Sequence, residues 1–161
     1  LGNGRALNPP LATARLLTEA GVEAGQSVLL VGAATGYAAA LLAELGARVT
    51  ALESDAALAV AAKANLAGKP DVTVVEGPLE VGVPAGAPYD LLFIDGAVET
   101  LPEALTDQVR TDGRVVFARA DQGVTRLCSG VRSAGGFGAA AFVDAEAVIL
   151  PGFAAPQPFR F

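Results

Sequence analysis

Histidine is absent from this 161-residue chain, and cysteine occurs once, at Cys128. Without histidine there is no Ser-His-Asp triad, no Cys-His pair and no HExxH zinc site. A lone cysteine forms no internal disulfide and no cysteine-rich metal centre, and reads as a small core residue in a reducing compartment. Lysine and arginine number 11 against 17 acidic residues, a net charge of −6. They do not cluster, which disfavours nucleic acid as a partner. The apolar runs are short, and none reaches the roughly 18–20 residues that a membrane span needs. Chemistry in such a chain must need little acid–base help, or draw on a cofactor's reactivity.

What is present suits a packed domain. Hydrophobic residues make up 52% and charged ones 17%, so one cytoplasmic domain spanning the whole chain is expected, as a monomer or weak homo-oligomer. No signal-peptide pattern is visible, and the start at Leu1 reads as a fragment or a processed form.

After residue 26 the pattern alternates. Nearly continuous apolar runs at 27–31, 48–53, 72–75, 89–94 and 114–118 read as strands covered on both faces. Helical stretches are expected at 11–20, 35–45, 55–66 and about 101–109. This alternation predicts βαβ units and an open, doubly wound, mostly parallel sheet. Asp55 is a plausible N-cap, Gly46 a left-handed helix end, and Asp112-Gly113 a turn before the fifth strand. Residues 77–88 read as a loop. Further on, 124–131 suits either strand or helix, Gly135-Gly136 a turn, and 147–150 a last strand.

Residues 28–37, VLLVGAATGY, run from a buried strand through a glycine turn into a helix. In open α/β sheets ligands bind beyond the carboxyl ends of the strands, at the switch in strand order. Gly32 and Gly36 give the backbone its freedom there, and the start of the helix, near Thr35 to Ala38, offers free N–H donors. The spacing is not the G-x-G-x-x-G of dinucleotide sites, and Ala34 would crowd a pyrophosphate. A nucleoside without phosphates needs less room. Glu53 closes the second strand, where a carboxylate accepts from both hydroxyls of a ribose. Glu76 and Asp95 end the third and fourth strands on the same rim, Glu76 within reach of an adenine amine. The row describes a nucleoside pocket.

These motifs, VLLVGAATGYAAALLAELG, VTALES, VTVVEG and APYDLLFIDGAVETLPEALTDQVRTDGRVVF in order, resemble class I S-adenosylmethionine-dependent methyltransferases. Within that superfamily the chain is similar to the protein-L-isoaspartate O-methyltransferase family. That family has G-x-G-S-G-Y-x-A-A at the first turn, matched by Gly32 to Ala39, and Gly-Asp-Gly after its third strand, matched by Val75-Glu76-Gly77. Its A-P-Y/F-D-A-I-I-V is matched by Ala87 to Ile94, and its P-x-x-L-x-x-Q-L-x-x-G-G-x-L-V by Pro102 to Val116. Upstream, G-Q-T-I-S-Q-P resembles Gly4 to Pro10. The likeness covers about residues 4–118.

The resemblance implies a seven-stranded, Rossmann-like methyltransferase sheet in a three-layer α/β/α sandwich. It implies S-adenosyl-L-methionine as cofactor, S-adenosyl-L-homocysteine as product, and methyl transfer to isoaspartyl carboxylates of damaged proteins or peptides. Gly32, Ala33, Ala34, Thr35, Gly36 and Tyr37 would cradle the cofactor's methionine part. Glu53, with Ser54, would hold the ribose, Glu76 and Gly77 the adenine, and Asp95 the same cofactor. Asn8 stands where the family has a serine near the reacting groups. Asn8 and Asp95 are thus the catalytic candidates, and Asn8, Pro9 and Pro10 the substrate-side ones. No metal site is implied.

The chain departs from the family at four positions. Leu30 replaces an acidic residue near the cofactor's ammonium, Ala34 a glycine, Asn8 a serine and Asp95 a threonine. The family also has more chain before its glycine-rich N-terminal segment, so that segment's absence would leave the substrate cleft partly open. Two readings compete with protein repair. FIDG also resembles small-molecule O-methyltransferases, in which such an aspartate ligates a divalent metal, although no Asp-Asn pair completes that site here. Leu30, Ala34 and the N-terminal start suit a degenerate domain that serves as an interaction module. A NAD-linked oxidoreductase is weakened by the glycine spacing. Tyr37 is expected to pack at the helix start, Pro9-Pro10 to open a helix, and Phe153, Phe159 and Phe161 to dock on the domain or a partner.

Overall fold

Seven strands form one sheet in the order β3-β2-β1-β4-β5-β6-β7 in the computed structural model, which describes residues 1–2 and 5–155. The parallel part comprises β1 (Ser27–Val31), β2 (Arg48–Glu53), β3 (Val72–Glu76), β4 (Tyr89–Val98) and β5 (Val109–Asp121). The antiparallel strands β6 (Val124–Ser133) and β7 (Gly136–Asp144) extend it beyond β5. The chain moves outward from β1 to β3, then returns to the other side of β1 to lay down β4. The strand order therefore reverses between β1 and β4, where an open α/β sheet leaves its binding crevice.

Side-chain alternation sorts the core into two layers. Val28 and Leu30 of β1, Leu91 and Phe93 of β4 and Val116 of β5 face one side. There they meet α1 (Pro10–Ala20) through Leu16, α2 (Tyr37–Glu44) through Leu42, and α3 (Ala56–Asn65) through Ala62. Leu29, Val31, Leu92, Ile94 and Phe117 face the opposite side. That side is closed by Leu79 of the 77–88 loop, Leu105 of α4 (Glu103–Thr106), and Leu150 and Phe153 of the C-terminal segment. Alanines on α2 and α3 let helix and sheet approach closely: Ala38, Ala39, Ala59 and Ala62 are fully buried or nearly so. Among the described residues no helix is long and apolar enough to cross a membrane.

Several expectations change at the edges of elements. Helix α2 begins at Tyr37 rather than residue 35, because Gly36 caps it with φ +97° and cannot continue a right-handed turn. The expected helix at 101–109 shrinks to the four residues of α4, and β5 starts already at Val109. The Asp112-Gly113 signal is an irregularity inside β5, with Asp112 at φ +64° and the register slipping between Tyr89 and Leu91 of the partner strand. Segment 124–131 is strand. The last strand is β7, whereas 147–150 makes a single bridge, Ile149 to Ala97. Asp55 caps α3 by accepting from the N–H groups of Ala57 and Leu58 at 2.9 and 3.0 Å, Pro10 opens α1, and Phe153 docks on the domain itself. Phe159 and Phe161 lie outside the described residues.

Gln108 ties the 77–88 loop to the sheet. Its side-chain oxygen accepts from Val83 N–H at 2.8 Å, and its amide donates to the carbonyls of Val81 and Ala104 at 2.8 and 2.7 Å. All three links join the buried Gln108 side chain to backbone groups of the loop and of α4. Gln108→Leu keeps the volume and leaves those groups unpaired, at a cost of about 2 kcal/mol. Urea unfolding checks this; a loss below about 0.5 kcal/mol, the range of an ordinary surface change, would show that the loop is held by other contacts.

Candidate functional site

The carboxyl ends of β1, β2 and β4 converge on the turn from Gly32 to Gly36. Backbone pairing builds it: Gly32 N–H and Ala33 N–H both donate to the Leu52 carbonyl at 3.0 Å, and Gly36 N–H closes the turn on Ala33. Gly32 takes φ +84°, and Ala34 takes φ +49°, a left-handed conformation that disfavours a Cβ. Ala34 N–H donates to Glu53 Oε2 at 2.7 Å. A Cβ on Gly32 would lie 3.0 Å from Leu150, and one on Gly36 would lie 2.7 Å from Leu66. Both glycines are thus covered by the chain's own leucines.

Glu53 is the centre of the arrangement. Its side chain is wholly buried, and its carboxylate collects donors from three directions. Ala34 N–H reaches Oε2, while the N–H groups of Ser54 and Asp55 reach Oε1 at 2.9 and 3.0 Å. Arg5 completes the set with a two-pronged ion pair, Nη1 to Oε1 at 2.5 Å and Nη2 to Oε2 at 3.0 Å. A carboxylate has about four lone-pair positions, and these donors fill them. Glu53, expected to hold a ribose, is engaged by Arg5 in this structure. The sequence offered a weak signal for Arg5, an isolated cation in the upstream motif where the family has glutamine.

Asn8 and Asp95, 87 residues apart in the chain, are brought together. Asn8 Nδ2 donates to Asp95 Oδ1 at 3.1 Å, and Thr13 Oγ1, which sequence reasoning missed, donates to the same oxygen at 2.7 Å. Asn8 Oδ1 accepts from Val148 N–H at 3.1 Å. The amide therefore joins the N-terminal segment, the end of the parallel run of β4 and the C-terminal segment. Asp95 follows Ile94 beside the turn, its carbonyl 3.7 Å from where a Gly32 Cβ would be. Burial raises the Asp95 carboxyl above its ordinary value, opposed by the hydrogen bonds from Thr13 and Asn8.

The remaining candidates scatter along the rim. Pro9 is half-buried and Pro10 exposed at the start of α1; Thr35 accepts from Asn65 Nδ2 at 2.9 Å. Tyr37 is 52% exposed, which corrects the expectation that it packs in the core; it opens α2 pointing to solvent. Ser54 and Glu76 are exposed, and Gly77 N–H donates to the Glu53 carbonyl at 3.0 Å. Leu30 is fully buried between β1's neighbours, so a carboxylate there would have entered the apolar core. Cys128 is a free, buried thiol in the second layer. A separate cavity of about 700 Å³ opens beyond β4 and β5, with Glu99, Asp121 and Glu146 in its lining. None of the turn residues, Glu53 or Asp95 lines it. Among the described residues no three acidic or cysteine side chains are grouped to hold a metal ion.

The charge on Asp95 has a thermodynamic consequence. A carboxyl whose folded pKa is raised favours folding below its unfolded value, near 3.8, and that contribution is lost as pH rises through the folded value. Asp95→Asn removes the titration while keeping a hydrogen-bonding side chain of the same shape. The variant's stability relative to the parent should therefore rise in denaturant unfolding as pH climbs from about 4 toward neutral. A stability difference that does not change with pH would show that Asp95 titrates as an ordinary surface acid.

A family model described as protein-L-isoaspartate(D-aspartate) O-methyltransferase matches residues 1–132. A curated protein-L-isoaspartate O-methyltransferase of Methylorubrum populi is 40% identical over 118 residues, covering 73% of this chain and 56% of that protein. One from Methanoregula boonei is 40% identical over 119 residues, covering 72% and 54%. The chain thus spans little more than half the length of these relatives. Among solved structures, a protein-L-isoaspartate O-methyltransferase aligns with TM-score 0.83 and 24% identity over 89% of this chain and 47% of its own. A Plasmodium falciparum chain described as a β-aspartate methyltransferase, solved with S-adenosyl-L-homocysteine, aligns with TM-score 0.80 and 17% identity, covering 93% and 78%. These likenesses establish the fold. With the reversal of strand order, the glycine turn and the carboxylate at the end of β2 all in place, and with the model match spanning most of the chain, this protein belongs to the protein-L-isoaspartate O-methyltransferase family.

Proposed function

We propose that the chain is a single S-adenosylmethionine-dependent methyltransferase domain that methylates isoaspartyl carboxylates in damaged proteins or peptides. The observation that carries this reading is Glu53, an acceptor-only carboxylate held beside the Gly32–Gly36 turn by three backbone N–H groups. Such a group fits the two hydroxyls of a ribose once the Arg5 guanidinium leaves it. The turn residues 32–37 and Ser54 would line the same cofactor, with Glu76 and Gly77 at its adenine. The bound cofactor supplies a methyl group already activated by a positive sulfur.

The chain's own task is to bind and to orient. An isoaspartyl carboxylate is ionised at neutral pH, so no general base is required and the lack of histidine is no obstacle. Alignment of acceptor and donor contributes most, about 7–11 kcal/mol in favourable models. Asn8 and Asp95 would form the acceptor-side wall beside the turn, with Pro9 and Pro10 flanking them. Asn8 is engaged at both ends of its amide, which suits a group that keeps that wall in shape. The single buried thiol and the acidic, unclustered charge support a cytoplasmic protein acting on polypeptide rather than nucleic acid, as a monomer or weak homo-oligomer.

A second reading is favoured by one observation. With Glu53 saturated and Leu150 over Gly32, the chain is also suited to be a closed interaction domain without catalysis. Two measurements separate the readings. Titration calorimetry with S-adenosyl-L-homocysteine is expected to show binding that Glu53→Ala weakens at least tenfold, the scale of one lost charge-assisted hydrogen bond. Incubation with an isoaspartyl peptide and methyl-labelled cofactor is expected to yield base-labile methyl ester. Binding without ester formation would keep the cofactor site and remove the catalysis, and the absence of both would overturn the first reading in favour of the closed interaction domain.

A further inference from the structure

We propose that the Arg5 side chain is an internal competitor for the ribose carboxylate, so that nucleoside entry at Glu53 requires the guanidinium to withdraw. This rests on the cofactor reading above and adds the device that governs access to the site.

Three features of the pair support it. The first is saturation. Two prongs of Arg5 and three backbone N–H groups already fill the two oxygens of Glu53, so a diol and the guanidinium exclude each other. The second is likeness of shape. A vicinal diol presents two O–H donors side by side, as the guanidinium presents two N–H donors, and each makes a paired contact with one carboxylate. The third is that the seat fits Arg5 incompletely. Its Nε is buried and has no hydrogen-bond partner, although Arg5 is only 8% exposed. A buried donor left unpaired weakens the hold of the site on that side chain.

Withdrawal of Arg5 does not dismantle the receptor. Ala34, Ser54 and Asp55 hold the Glu53 carboxylate from the backbone, so it stays in place at the end of β2 when both guanidinium contacts are released. The apparent affinity for a nucleoside is then the intrinsic affinity reduced by the fraction of molecules in which Arg5 is away. Competition of this kind slows productive association and leaves dissociation of the bound ligand nearly unchanged.

The test is S-adenosyl-L-homocysteine binding to the parent chain, Arg5→Gln and Arg5→Lys, read as dissociation constants and as association and dissociation rates. Arg5→Gln is expected to bind at least tenfold tighter, with the gain in association and with dissociation changed less than threefold. Arg5→Lys keeps the charge but not the fork, and is expected to gain at least threefold. Smaller gains, a loss of affinity, or a gain confined to dissociation would overturn the proposal while leaving the cofactor reading intact, since the parent chain binds. Failure of all three chains at millimolar ligand would overturn the cofactor reading and the competition with it. Circular dichroism reports whether Arg5→Gln folds; where it does not, the Arg5→Lys threshold alone decides.

Discussion

A carboxylate buried at the end of a strand must be compensated, and the site is organised around how Glu53 meets that demand. Removing an ionised group from water costs several kcal/mol even after relaxation, so the surroundings must supply donors. Here the donors come from the β1 turn, from the start of the β2–α3 connection and from Arg5. Each contribution shapes local structure. Ala34 accepts a left-handed conformation, with φ +49°, and its N–H reaches Oε2. Ser54 and Asp55 bend back toward the strand end, which places Asp55 to cap α3. The N-terminal segment is held against the rim by the ion pair of Arg5.

A second tie complements the first on the other side of the turn. Asn8 links the N-terminal segment to Asp95 and to the backbone of Val148. Leu150 then lies over Gly32 and Gly96. The N-terminal and C-terminal segments thus meet above the reversal of strand order. Breaking a buried ion pair by removing one partner leaves the other charge uncompensated, so the hydrogen bonds of an incoming diol must stand in for those of Arg5 on Glu53.

The parallel half of the sheet was legible because each of its strands is covered on both faces and reads as an unbroken apolar run. The turn signals at Gly46 and Asp55 were equally plain, since one residue's conformation or one side-chain acceptor decides them. The β5–β7 meander was less so. Segment 136–144, GFGAAAFVD, is half exposed and poor in large side chains, so its pairing with β6 comes from tertiary context rather than local preference. The 101–109 helix was over-read because apolar spacing alone does not report where β5 begins. Of the site, the positions of the turn, Glu53 and Asp95 followed from the βαβ pattern. Arg5, Thr13 and Leu150 did not, because contacts between a chain terminus and a strand end leave no periodic trace.

Membership of the family and the placement of the turn make the cofactor reading specific, and the Arg5–Glu53 pair makes it conditional on one displacement. The most direct test is the crystal structure of this chain with S-adenosyl-L-homocysteine bound. The account predicts both ribose hydroxyls on the Glu53 carboxylate, the N–H groups of Ala34, Ser54 and Asp55 unmoved, and the Arg5 guanidinium away from both oxygens. A ligand seated elsewhere, with the Arg5–Glu53 pair intact, would contradict it.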